Sequence, residues 1–192
     1  TFIDLQMPIL YPANVQEVLD LGLYGWAMSR FCGAWVGFKI VADAVDASAS
    51  VHVDPHRVEI VVPDDVRFPP DGVNLRIPDL WTDQEPRLVQ HKIRAALAFG
   101  RANRINRVAL ESPRPRLGIV ASGKAYLDLR QALHEFGLDE KRAAEAGITI
   151  YKVSMPYPMD GEDIRRFATG LEEVLVIEEK RRVIETQVKD AL

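Results

Sequence analysis

From Arg116 to the end of the chain, apolar runs alternate with amphipathic stretches in a fixed order. LGIVAS (117–122) is an apolar run of strand length, the pattern of a buried strand, and ITIYKV (148–153) and EVLVI (173–177) read as a second and a third strand. Between the first two, Tyr126, Leu129, Leu133 and Phe136 recur at the interval of one helix face, which predicts all four inward. Between the second and third, Asp160 is placed to cap a helix carrying Ile164, Phe167 and Leu171. EEKRRVIETQVKDAL then closes the chain as an amphipathic helix through Val183, Ile184, Val188 and Ala191. Strands alternating with helices restrict the solutions to a parallel sheet with crossover connections. The expected fold class is therefore α/β, with mostly parallel sheets and helices on both faces.

The upstream half is less regular. Val15, Val18, Leu19, Gly22, Leu23, Trp26 and Ala27 share one face of a helix predicted over 14–30, with Asn14 and Glu17 spaced as a capping box and Pro12 before it. AWVGFKIV (34–41) follows a turn at Cys32-Gly33 and predicts a strand buried on both faces, broken only by Lys39. VEIVVP (58–63) is a candidate strand, and PDDVRFPPDGVNLRIPDL is dense enough in Pro, Asp and Gly to be a surface connection. Thr82 and Glu85 form a second capping-box pattern, with Pro86 in the first turn of a helix to about Asn103 that buries Val89, Ile93, Ala96, Leu97 and Gly100.

The stretch GIVASGKA (118–125) comes within one residue of a phosphate-binding P-loop. Gly118, Gly123 and Lys124 have the required spacing, but Ala125 stands where the Mg²⁺-ligating hydroxyl belongs. Most of the intervening residues also belong to the strand, leaving no room for a backbone cradle. The sequence therefore predicts a tight turn at Ser122-Gly123 and a helix start, either capped by Ser122 or open to an anion.

Composition narrows the function classes. The 24 Lys and Arg are dispersed and outnumbered by 28 Asp and Glu, for a net charge of −4, which does not suit nucleic acid. No apolar run approaches the length of a membrane span, and no signal peptide is recognisable, so a cytoplasmic location is expected. The single cysteine, Cys32, excludes an internal disulfide framework and reads as a packed thiol. His52, His56, His91 and His134 show no metal-ligand spacing. The chain opens on TFIDLQMPIL and ends in a helix without a polar tail, and is expected to be a piece of something longer.

Three segments in the same order carry a resemblance. PILYPANVQEVLDLGLYGWAMSRFCGAWVGFKIVADAVDASASV, RLGIVASGKAYLDLRQAL and VLVIEEKRRVIETQVKDAL together resemble the indolepyruvate ferredoxin oxidoreductases, and in particular an internal part of the large fused form. These belong to the thiamine-diphosphate-dependent 2-oxoacid:ferredoxin oxidoreductases. The resemblance implies three parts: residues 1–60 as the closing part of a pyrimidine-binding-like domain, 61–114 as a connecting segment, and 115–192 as a domain like the transketolase C-terminal domain. It implies an intact enzyme that oxidatively decarboxylates an aryl pyruvate to an acyl-CoA and passes electrons to ferredoxin. That enzyme uses thiamine diphosphate with Mg²⁺, iron–sulfur clusters and coenzyme A, and its partners here are the remaining domains and a second copy.

This chain departs from the family's cofactor motifs. One cysteine cannot ligate an iron–sulfur cluster. The family's Gly-Asp-Gly diphosphate motif is absent, since Asp71-Gly72 sits in the proline-rich connection. The glutamate that activates thiamine lies, in the family, upstream of these residues. No catalytic residue, metal or bound cofactor is therefore expected in the chain by itself. It is expected to act as scaffold and subunit contact, with a possible wall of the cofactor site at Ser122, Gly123 and Lys124 and at Lys39 and Asp43. The plainer reading of Lys39 is a strand residue whose ammonium snorkels out to solvent or pairs with Asp43. Ser48 and Ser50 lie in a small-residue loop that either lines a ligand or simply turns. Glu178, Glu179, Lys180 and Arg181 follow the last strand, so they should share one crevice with the Ser122 turn. The competing readings are a stand-alone nucleotide or coenzyme A binding module at that turn, and a purely structural dimerisation domain.

Overall fold

A computed structural model describes residues 2–77 and 79–192. The C-terminal alternation folds as expected. β4 (Leu117–Ser122), β5 (Ile148–Val153) and β6 (Glu173–Ile177) lie parallel in the order β5-β4-β6. A strand absent from the sequence reading, β3 (Arg107–Leu110), adds to β5 as an antiparallel edge. Side chains of β4 alternate between the two faces. Ile119 and Ala121 pack with Tyr126 and Leu129 of α5 (Gly123–Glu135) and Ala143 of α6 (Glu140–Glu145). Val120 packs oppositely, with Ile164 of α7 (Gly161–Ala168) and Ile184 and Val188 of α8 (Ile184–Ala191). Asp160 caps α7 as expected, accepting from Glu162 N–H at 2.9 Å. Phe136 is not inward but 81% exposed, because α5 ends at Glu135 and the chain turns at Gly137, which has φ +72°.

The closing helix is shorter than expected. Residues 178–183 form an irregular link, and α8 begins only at Ile184. Glu178 belongs to that link rather than to a charged helix start. Its carboxylate accepts from the N–H groups of Val183 at 3.1 Å, Ile184 at 2.9 Å and Glu185 at 3.1 Å. The strand-end glutamate thus satisfies donors that the first turn of a helix leaves open. Glu178→Ala is expected to cost about 1–2 kcal/mol, the scale of a lost cap. Thermal unfolding and amide exchange at residues 183–185 check this, and unchanged exchange there sinks the assignment.

The N-terminal half carries its own two-stranded sheet, whose first strand is bonded to the segment after β5. β1 (Ile9–Leu10) and β2 (Gly37–Phe38) make a two-stranded parallel sheet joined by α1 (Val15–Cys32). Asn14 caps α1 through Glu17 N–H at 2.9 Å, but Glu17 reaches back to Ala13 N–H at 2.9 Å, so the box closes one residue early. The buried face of α1 is Leu21, Gly25, Met28 and Cys32, packed with Leu10, Phe99 and Met155. Leu19, Leu23 and Trp26, predicted inward, are exposed. The helix is apolar on more than one side, and α4 (Ile93–Ala102) packs on the side of Leu21, Met28 and Cys32. AWVGFKIV likewise contributes only two strand residues, and Trp35 is 83% exposed.

Two more expectations yield to tertiary contacts. VEIVVP is not a strand. Val61 pairs its N–H and C=O, each at 2.8 Å, with the side-chain amide of Asn103, which takes the place of a neighbouring strand. The second capping box does not form. Leu80 precedes α3 (Trp81–Arg87) without a side-chain cap, which places Pro86 inside the helix. A π-turn (Leu88–Lys92) follows and leads into α4. The face buried there is Ala95, Ala96, Ala98, Phe99 and Gly100, while Val89 is exposed.

Candidate functional site

Because β4 and β6 are parallel neighbours with Ala121 opposite Ile177, the segments that follow them emerge side by side at the carboxyl edge of the sheet. Ser122-Gly123-Lys124 and Glu178–Arg181 therefore meet, as the spacing predicts. The cleft between them, about 100 Å³, is lined by Ile9, Tyr11, Lys39, Ser122, Glu179 and Arg181, among others. Tyr11 arrives from β1, whose edge is anchored to the segment after β5: Ile9 N–H donates to Tyr157 O at 2.7 Å and Tyr11 N–H to Ser154 O at 2.8 Å.

Tyr11 is the centre of this cleft. Its hydroxyl donates to Glu179 Oε2 at 3.0 Å. The Lys39 ammonium lies 3.8 Å from the same oxygen and 3.8 Å above the Tyr11 ring centroid, a cation–π contact. Burial, followed by the Glu179 bond and charge, pushes the Tyr11 phenol up to about 12, so it is a neutral donor at physiological pH. Lys39 faces the crevice and takes Glu179, not Asp43, as its carboxylate partner. Asp43 is exposed in α2 (Ala42–Val45) and acts on Tyr11 and Lys124 only through its charge. Ser48 and Ser50 are exposed.

The start of α5 is covered rather than open. Gly123 has φ +51°, and a Cβ built there would lie 2.1 Å from Tyr11 Cζ. The phenol ring therefore sits flush on the turn, and the Lys124 backbone N–H bears on its hydroxyl. The place an anion would take at this helix end is filled by Tyr11. Ser122 precedes the helix in extended conformation, buried and without a side-chain capping bond. Lys124 turns along the helix surface to Asp128 at 2.5 Å.

A second polar cluster, missed in the sequence, joins α1, β5 and α5. Lys152 of β5 is 3% exposed and pairs with Glu17 of α1. Its ammonium also stands 4.7 Å above the ring of Tyr126 in α5. Burial pushes Lys152 down to about 8. The signal in the sequence was a lysine at an inward position of ITIYKV, in step with Ile150. Elsewhere Cys32 is buried, with burial pushing its thiol up, as a packed thiol should be. Among the described residues no three His, Cys, Asp or Glu side chains form a group able to hold a metal ion, and no helix is long and apolar enough to cross a membrane.

Comparison with known proteins fits this arrangement. The indolepyruvate oxidoreductase domain matches residues 107–192, beginning at β3. The chain is 28% identical over 182 residues to indolepyruvate oxidoreductase subunit IorA of Methanothermobacter marburgensis, covering 95% of this chain and 28% of that one. It is 27% identical over 197 residues to IorA of Pyrococcus horikoshii, covering 95% of this chain and 27% of that one. It thus spans little more than a quarter of the length of these relatives. A solved 2-oxoglutarate:ferredoxin oxidoreductase from Magnetococcus marinus, with 2-oxoglutarate, coenzyme A and succinyl-CoA bound, superposes with a TM-score of 0.53 over 96% of this chain and 37% of that one. At 13% identity that likeness establishes the fold. By its domain match over 107–192 and its alignment over 95% of its length with IorA subunits, the chain is similar to the indolepyruvate oxidoreductases.

Proposed function

We propose that this chain is a non-catalytic part of an indolepyruvate-type 2-oxoacid:ferredoxin oxidoreductase. The observation that carries this reading is its alignment over 95% of its own length with IorA subunits of which it spans only 28%. In this reading residues 1–60 complete a pyrimidine-binding-like domain, 61–114 connect, and 115–192 form the transketolase C-terminal-like part. The intact cytoplasmic enzyme oxidatively decarboxylates an aryl pyruvate to its acyl-CoA and delivers the electrons to ferredoxin, working with the remaining domains and a second copy. Thiamine diphosphate with Mg²⁺, iron–sulfur clusters and coenzyme A would supply the chemistry there.

The residues present do not fit those cofactors by themselves. A cluster needs several thiolates, and the one thiol here is buried. The cleft at Tyr11, about 100 Å³, is too small to enclose a nucleotide. The contribution we assign is scaffold, subunit contact and one wall of the cofactor site, made by Lys39, Asp43, Ser122, Gly123 and Lys124 together with Tyr11 and Glu179.

Anaerobic assay of ferredoxin reduction with indolepyruvate, coenzyme A and Mg²⁺–thiamine diphosphate tests the proposal. The chain alone should give no reduction, and the enzyme carrying it should give turnover. Turnover by the chain alone, or none by the intact enzyme, overturns it. Calorimetric titration with coenzyme A separates the competing reading of a stand-alone module. Micromolar binding to the isolated chain, about −8 kcal/mol, lost in Lys124→Ala, would favour that module instead.

A further inference from the structure

The face of α1 opposite its packed side is unfinished. Leu19, Leu23 and Trp26 form an exposed apolar stripe along it, and Trp26 is 75% exposed. Between this stripe and β2 runs a groove of about 730 Å³, with Gly22 and Gly25 on its floor, Trp26, Trp35 and Phe38 on its walls, and Arg30 beside them. Nothing lies within 4 Å of where a Cβ on Gly22 would stand, so no atom of this chain explains a glycine in mid-helix there. A helix apolar on opposite sides is a helix buried on both.

The backbone of β2 is unfinished at the same place. Gly37 and Lys39 donate to Pro8 O at 2.7 Å and Leu10 O at 2.8 Å, so both point at β1. By the alternation of a strand, Val36, Phe38 and Ile40 then point their N–H and C=O groups to the other edge. Among the described residues no strand pairs there. The far edge of β1 is already taken by the bonds to Ser154 and Tyr157, leaving the β2 edge as the open side of this sheet. Parallel sheets occur covered on both faces and are extended by further strands, not as isolated pairs of two-residue strands.

We propose that the Trp26–Trp35–Phe38 groove receives an apolar strand from the remaining length of the oxidoreductase, which adds to the open edge of β2 and continues the β1–β2 sheet. This rests on the reading that the chain works inside a longer enzyme. The occupant follows from three features that coincide at one place: an open strand edge, an apolar wall, and relatives more than three times as long that align with the chain nearly end to end. Main-chain bonds to Phe38 and Ile40 would set the alignment of the strand, and the two tryptophans would cover its apolar side chains.

Hydrogen–deuterium exchange over residues 34–41 tests this in the chain alone and in the enzyme assembled with the remaining polypeptide, whether joined or supplied separately. The Phe38 and Ile40 amides should exchange freely in the isolated chain and at least about 100-fold more slowly in the assembly. Gly22→Leu, which fills the groove without meeting the chain's own core, should leave the melting of the isolated chain intact and prevent assembly. Equal exchange in an enzyme that assembles, or no association at all, overturns the proposal. Concentration-dependent protection in the isolated chain also overturns it, because a second copy would then be the occupant. Protection in an assembly that fails to oxidise indolepyruvate upholds the surface and removes the functional reading instead.

Discussion

Glu17→Gln is expected to destabilise the protein by about 3 kcal/mol at neutral pH, the scale of breaking a buried ion pair from one side. The substitution keeps an acceptor for Ala13 N–H but strips the counter-charge from Lys152, an ammonium buried between α1, β5 and α5. Adding Lys152→Met should return most of the loss, since a pair replaced on both sides leaves no orphaned charge. The pH dependence has a definite sign. Burial holds Lys152 at about 8 in the folded protein against an ordinary 10.5, so between those values the unfolded chain binds more protons. The contribution of Lys152 to stability therefore rises as pH increases from about 8 to 10.5. The Glu17→Gln deficit should be present at lower pH and disappear as pH rises through about 8, where Lys152 sheds its proton in the folded protein and no longer needs a counter-charge. Chemical denaturation at several pH values measures both effects. A deficit that does not change with pH, or one that Lys152→Met fails to repair, would remove the pair from its role in holding α1 to the sheet.

Gly123→Ala should cost about 3 kcal/mol, combining the left-handed backbone penalty with overpacking. The added methyl has no room, because the Tyr11 ring lies 2.1 Å from its position. Tyr11 must move, losing its bond to Glu179 and its contact with Lys39. Two measurements separate these terms. In a Tyr11→Ala background the same substitution should cost only about 1 kcal/mol, the backbone part alone. In the single variant the Tyr11 phenol should titrate back from about 12 toward its ordinary 10.0. An equal cost in both backgrounds would show that the glycine is required for its backbone and not for the close approach of the ring.

The glycine of GIVASGKA is thus explained by a tyrosine from the other end of the chain rather than by a phosphate. The distinction is one of range. The alternation of strands and helices over 117–192 was legible because each element is specified within its own few residues, and parallel order follows from the crossovers. The convergence of the Ser122 turn with Glu178–Arg181 was legible for the same reason, since neighbouring parallel strands end at one edge. Lys39 lines the cleft with Glu179 rather than Asp43 as its carboxylate, a partner far away in sequence.

What the sequence by itself determined was therefore the α/β class, the strands β4, β5 and β6, and the edge where a site could form. The tertiary structure alone decided which side of α1 is buried, that AWVGFKIV supplies only a two-residue strand, that Asn103 stands in for a strand beside Val61, and that Tyr11 closes the α5 turn. It also decided the pairing of Lys152 with Glu17, separated by 135 residues, and of Tyr11 with Glu179, separated by 168. Periodicity reports that a face is apolar or a lysine is inward. It carries no information on which distant segment arrives to cover that face or neutralise that charge, because burial and pairing are set by the neighbours that the whole fold brings into contact.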